Sequence, residues 1–351
     1  MTTPTYEATD RPAGSTPPAT RRTATRGVPT AGGEPPTVGG SALLGVFAIP
    51  LGLAGLGGVW QALRTIASAP SWPAEVLFAA STAIWLALTV VYVGRGVRRA
   101  GTFTAHRQHA VHGPFAAYLP VIGILLSAHY IPYLHDVARG AVLVFVLALG
   151  VLAAQLVAHW LLGNLPVQTF HPGYFLPTVA GAFIASIGLH ASGWHQAAVS
   201  AFGVGILFWL IIGTLVFGRL FTGAPLPDAV KPSLAVLVSP PAVAGIAWLA
   251  IAGGRMDSVG YLLLGILLMM LLVQVMFLPD YRVLTFNPNF WAFTFPVAAS
   301  SNFAIRWLTS AELPGGHTWS WALAALATAF VGAIAAATVV TSYRQQIAGR
   351  R

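Results

Sequence analysis

Acid–base or metal chemistry needs ionisable groups that converge, and this chain offers few. It carries nine Asp+Glu against 18 Lys+Arg, ten histidines and no cysteine. Without cysteine, disulfides, thiolate metal sites and cysteine nucleophiles are excluded together. No carboxylate lies deep in an apolar run, so a paired-carboxylate or histidine–carboxylate catalyst has no place there. P-loop and dinucleotide-binding glycine patterns are missing too. The chain is therefore read as no enzyme, with no cofactor and no metal. His106, His109 and His112 fall three apart and could line one helical face as metal ligands. With no carboxylate or thiolate beside them, a solvated basic loop is the better reading. His129 and His190 lie toward the ends of apolar runs and could present a pH-sensitive donor; packed neutral rings are preferred. His159 adjoins Trp160 and reads as interfacial.

One stretch does suggest a function. Residues 287–307 read NPNFWAFTFPVAASSNFAIRW. At helical spacing Ala292, Phe295, Ala299, Asn302 and Arg306 share a face. The order along it is small, aromatic, small, polar, cationic. A lone ring flanked by small residues on a wet face is a hydrophobic constriction, which gates by occlusion and dewetting. The ordinary alternative is that Phe295 only packs. Arg306 could attract anions or pair with Glu312, and the pair is preferred.

The elements that must position this stripe follow from composition. The chain is 351 residues long, 56% hydrophobic and only 8% charged, where soluble domains are about 25% charged. Spanning a bilayer takes about 20 apolar residues. Ten windows qualify, near 42–62, 75–95, 115–135, 139–161, 174–192, 198–218, 232–252, 260–279, 289–309 and 319–342. The expected fold is all-α integral membrane: ten transmembrane helices as five helical hairpins. Residues 1–40 contain seven prolines, ten threonines and four arginines and read as a disordered cytoplasmic tail. Residues 41–345 form the membrane domain, and 346–351 a short basic cytoplasmic tail.

Pro50, Pro120, Pro177, Pro240 with Pro241, and Pro296 all fall in odd-numbered spans, and the even-numbered spans have no interior proline. Interior proline removes a hydrogen bond and kinks a helix. Irregular backbone at membrane depth is tolerated where protein or a wet cavity satisfies it. The alternation predicts an inner ring of kinked odd helices around a pore and an outer ring of straight even helices against lipid. Gly52, Gly55, Gly57 and Gly58 in the first span would let helices approach closely. The net charge of +9 is spread over short loops, which excludes a nucleic-acid reading. Fourteen of the 18 basic residues fall on one side if the N-terminus is cytoplasmic, which puts both termini inside.

WAFTFP at 291–296, HPGYFLP at 171–177 and FAIPLGLAGL at 47–56 resemble signature stretches of the tellurite-resistance/dicarboxylate transporter family. That family includes TehA-like proteins, fungal malate and sulfite transporters, and plant guard-cell slow anion channels. The resemblance covers roughly residues 42–345 and implies five hairpins around a central pore, in a homotrimer with one pore per protomer. It also implies that the second aromatic of the tryptophan-led motif, Phe295 here, plugs the pore. HAVHGPFAAYLP at 109–120 departs from the pattern by lacking the usual basic residue after the histidine–proline step, and the tail 1–40 matches nothing in it.

The expected activity is that of an anion channel or channel-like uniporter in the cell (plasma) membrane, passing small inorganic or organic anions. Freed carbonyls at kinks favour cations. Anion preference must then come from the lack of acids along the path, because loop arginines are screened beyond about 8 Å at about 0.15 M salt. The rival is a proton-coupled carrier or exporter of C4-dicarboxylates or sulfite, of the tellurite-resistance type.

Overall fold

The computed structural model describes residues 41–97, 113–163 and 165–348. The segment 1–40, the triplet His106, His109 and His112, and residues 349–351 lie outside the described residues. Within them every regular element is helical. Eight helices are long and apolar enough to cross a membrane: 43–67, 72–94, 113–161, 172–191, 195–222, 231–251, 258–276 and 316–348.

The α-helices are α1 (Ser41–Val46), α2 (Ala48–Ala67), α3 (Trp72–Val97), α4 (Tyr118–Leu161), α5 (Gly181–Ala191), α6 (His195–Thr222), α7 (Ser239–Ile251), α8 (Ser258–Met276), α9 (Leu278–Arg282), α10 (Thr294–Ser310) and α11 (Gly316–Ala348). The 44-residue α4 is not straight. His135 has φ 33 and ψ −107 inside it, three residues after Pro132. A Cβ placed on Gly123 would lie 2.7 Å from the Phe145 ring. A straight helix would hold positions 22 apart about 33 Å from one another, so the chain doubles back at the break. Its two halves also bury differently. Residues 120–129 are buried almost continuously, whereas beyond the break only a stripe, including Val142, Leu149 and Leu156, is buried.

The prolines begin the regular helices. Pro50, Pro120 and Pro296 are each the third residue of α2, α4 and α10, and Pro240 and Pro241 are the second and third of α7. Pro177 sits in a π turn, Leu176–Ala180, that leads into α5. Four of the five segments enter through 3-10 turns: Gly113–Ala117, Pro172–Tyr174, Lys231–Val238 and Pro288–Phe293. First-turn N–H groups have no intrahelical acceptor, so proline there removes no ladder bond. The irregularity expected as a bend within continuous helices is instead a change of pitch just before or at each proline. Two entries use the same cap. The His171 Nδ1 accepts from the Gly173 N–H at 3.1 Å and the Asn287 Oδ1 from the Asn289 N–H at 2.9 Å, each ahead of a proline.

Burial separates two kinds of helix. The apolar windows of segments 43–67, 172–191 and 231–251 are 56, 83 and 67% buried. Those of 72–94, 195–222, 258–276 and 316–348 are 17, 28, 22 and 22% buried. Each weakly buried helix packs beside the segment before it: α3 on α2, α6 on α5, α8 on α7 and α11 on α10.

Candidate functional site

α10 carries the stripe, and its neighbours on either side fix where the stripe faces. On one flank Trp291, Ala298 and Ile305 pack with Leu56, Val59 and Ala62 of α2 and Ala324 and Val331 of α11. The Trp291 indole N–H donates to the Thr338 hydroxyl at 2.9 Å. On the other flank the Phe303 ring fills the space beside Gly245 of α7. At 100° per residue, the strip between the α2 and α7 flanks is Phe295, Ala299, Asn302 and Arg306. Ala292 precedes it in the 3-10 turn, half-buried.

α2 approaches α10 through glycines on one of its faces. A Cβ on Gly52 would collide with the Thr294 hydroxyl, one on Gly55 would lie 2.9 Å from Phe295 Cδ2, and one on Gly58 3.0 Å from Asn302 Nδ2. The Phe295 ring is 9% exposed, with one edge over Gly55. It is thus held by backbone where a side chain would displace it.

The back of α10 borders an apolar cavity of about 300 Å³, lined by Leu271, Gln274, Tyr281, Phe293, Pro296 and Phe330 among others. Its polar groups serve one another. The Tyr281 hydroxyl donates to Gln274 Oε1 at 2.8 Å, and Gln274 Nε2 donates to the Leu234 carbonyl at 3.2 Å. Burial, with Asp280 beside it, pushes the Tyr281 phenol above its usual range. Phe293 meets Tyr281 edge-on at 4.9 Å, so it faces this cavity and not the stripe.

Arg306 departs from the expected pairing with Glu312. Its Nε–H donates to Asn302 Oδ1 at 2.8 Å. Glu312 lies past the helix end, exposed, with φ 48, whereas Asn302 is one turn back on the same face. Among the described residues the ion pairs are His129–Glu75 at 3.1 Å, Arg139–Asp136 at 3.7 Å and Lys231–Asp228 at 2.7 Å. Asp136 lies three residues before Arg139 in sequence and pairs with it. Asp257 instead caps α8, accepting from the Val259 and Gly260 N–H groups at 3.0 Å each and from the Trp248 indole at 2.8 Å.

His129 is buried and stacks on Phe78 at 3.7 Å. Glu75, its partner, also accepts from the Tyr133 hydroxyl at 2.7 Å. The 54-residue separation gave this pair no signature in the sequence. His190 lies beside His195, ring centroids 6.0 Å apart. Among the described residues no three His, Asp or Glu side chains come together to hold a metal ion.

The fold and the stripe define a multi-pass helical membrane protein whose buried segments carry a proline near their start, a feature the exposed α3 shares at Pro73. Residues 43–339 match the model of the voltage-dependent anion channel family, and the chain belongs to that family, which consists of channels and transporters. It is 25% identical over 274 residues to the tellurite resistance protein TehA homolog of Haemophilus influenzae, covering 77% of this chain and 83% of that one. It is 22% identical over 311 residues to the S-type anion channel SLAH3 of Arabidopsis thaliana, covering 86% of this chain and 48% of that one. The S-type anion channel SLAH1 of the same plant is 28% identical over 141 residues, 40% of this chain and 36% of the relative. The chain thus spans about half, or less, of these plant channels' length.

Proposed function

We propose that the chain is an anion channel or channel-like uniporter with ten membrane helices in five hairpins. The odd helices form an inner ring around a pore, and Phe295 is the gate. The observation that carries this reading is the strip Phe295, Ala299, Asn302 and Arg306, which lies between the flanks packed on α2 and α7 and carries no carboxylate. Ten spans follow if the doubled-back 113–161 counts twice and the 3-10 turn with α10, 288–310, crosses as well. The burial contrast between successive segments supports the two rings, and the proline-led entries at Pro50, Pro120, Pro177, Pro240, Pro241 and Pro296 mark the inner ones. Ala292 lines the pore just before the gate. The membrane domain is 41–345, between a cytoplasmic tail 1–40 and a basic tail 346–351. The assembly is a homotrimer in the plasma membrane with one pore per protomer. The deciding experiment is single-channel recording: Phe295→Ala should raise anion conductance markedly and Phe295→Leu should fall between. Wild-type conductance in Phe295→Ala at matched expression would overturn the gate.

A carrier reading has one observation in its favour. His129 and Glu75 form a bonded acid–base pair within the apolar segments, the kind of group a proton-coupled carrier of C4-dicarboxylates or sulfite would use. Anion uptake into proteoliposomes separates the two. A channel keeps its flux when only the proton gradient is collapsed, and a carrier loses it.

A further inference from the structure

We infer that Arg306, aimed by Asn302, forms an anion-recognition subsite that reads the shape of the passing ion and favours planar oxyanions with two coplanar oxygens. The inference rests on the pore reading above and adds to it a residue that selects. A guanidinium carries only donors, so Asn302 must turn its oxygen toward Arg306, as the 2.8 Å bond from Nε to Oδ1 has it. Asn302 is itself buried, with Nδ2 against Gly58 of α2. The close approach of α2 at Gly58 narrows the room in which this amide can turn.

This leaves a defined set of donors. Nε is engaged by Asn302, while Nη1 and Nη2 have no partner among the described residues, and no carboxylate lies within ion-pair distance of them. The two Nη groups form the end-on fork that donates to two coplanar oxygens at once. A cation held within an apolar bundle calls for a counter-charge, and no acid side chain near Arg306 supplies it. A permeating anion does so in passing. Arg306 lies 11 residues beyond Phe295 on the same face, about 16 Å along the axis, so an ion can be sorted there before or after the gate without touching the ring. Spherical chloride must draw both arms of the fork onto one atom, with bent bonds. Formate, with the same charge and two coplanar oxygens, gives each arm its own.

The test is the bi-ionic reversal potential of the full-length protein in planar bilayers, formate against chloride, measured in wild type and in a Phe295→Ala background that enlarges the current. Arg306→Lys keeps the charge and removes the fork. It should preserve anion-over-cation selectivity and lower the formate-to-chloride permeability ratio about tenfold, the low end for one lost charge-assisted hydrogen bond. Asn302→Asp keeps the side chain's shape and neutralises Arg306 in place, so it should lower anion-over-cation selectivity as well. An unchanged formate-to-chloride ratio in Arg306→Lys would overturn the fork and leave a point charge. Unchanged ion selectivity in Asn302→Asp would remove Arg306 from the path, and this second variant decides if the first does not insert. Absence of anion current in every variant, Phe295→Ala included, would instead count against the transport reading itself.

Discussion

Phe295 and Phe293 are two residues apart, yet their truncation should have different consequences, because each ring has a different neighbour. Phe293 packs edge-on against Tyr281 beside an apolar cavity. Phe293 is half-buried, so its removal should cost no more than the low end of the about 3–5 kcal/mol of a buried aromatic, and Phe293→Ala should lower the detergent-solubilised protein's melting temperature with little effect on conductance per channel. Phe295 sits over Gly55 on the face proposed to be wet. Phe295→Ala should cost much less, under about 2 kcal/mol by the same comparison, and raise conductance. Thermal unfolding of both variants alongside their single-channel currents checks the contrast. Equal destabilisation with equal currents would place both rings in ordinary packing. A second residue-level expectation concerns Asp257. Bonds from the Gly260 N–H, then the Trp248 indole and the Val259 N–H, hold its carboxyl below the usual carboxylate range. A depressed folded value means the cap contributes fully above the unfolded value of about 3.9 and is lost as pH falls through the folded one. Asp257→Asn should therefore melt below wild type at pH 7, and the gap should close as the pH is lowered past the carboxylate range.

At the scale of elements, the contact between α2 and α10 is a packing of backbone against side chain, and it can be tested by filling it. Gly→Ala inside a helix is ordinarily favourable by about 0.8–1 kcal/mol. At Gly55 the added methyl would sit 2.9 Å from the Phe295 ring, and overpacking of this kind costs about 1–3 kcal/mol. Gly55→Ala should thus be neutral to destabilising alone and become stabilising in the Phe295→Ala background. The coupling in a double-mutant cycle should be about 1 kcal/mol or more, and no coupling would mean the two helices do not meet there. These same elements show what the sequence could and could not reveal. The odd-span prolines and the 295–299–302–306 face were legible, because helical spacing is local. The entry turns were not: proline marks an irregularity but does not say whether the chain bends or tightens into a 3-10 turn. The partners of Arg306 and Glu75 were also hidden. Nearness in sequence favoured Glu312 for Arg306, whereas folding supplied Asn302 one turn back, and it brought Glu75 to His129 of the next hairpin.

For the whole molecule, topology follows from the number of crossings and the placement of charge. An even number of crossings returns the C-terminus to the side of the N-terminus, and on the proposed reading the basic loops make that side cytoplasmic. Miscounting one crossing, by reading 113–161 as a single span or leaving out 288–310, would reverse every loop after it. Two loops test the order up to residue 251. Ala224 follows α6 and Arg255 follows α7, and both are exposed; ten spans put Ala224 inside and Arg255 outside. The chain has no cysteine, so Ala224→Cys and Arg255→Cys each introduce a unique thiol. A membrane-impermeant maleimide added to intact cells should label Arg255→Cys and leave Ala224→Cys unlabelled until the membrane is opened. The reverse pattern would mean either an inverted orientation or a segment 113–161 that crosses once. Labelling of both, or of neither, in intact cells would mean that 231–251 does not cross, and the five-hairpin arrangement would then fail.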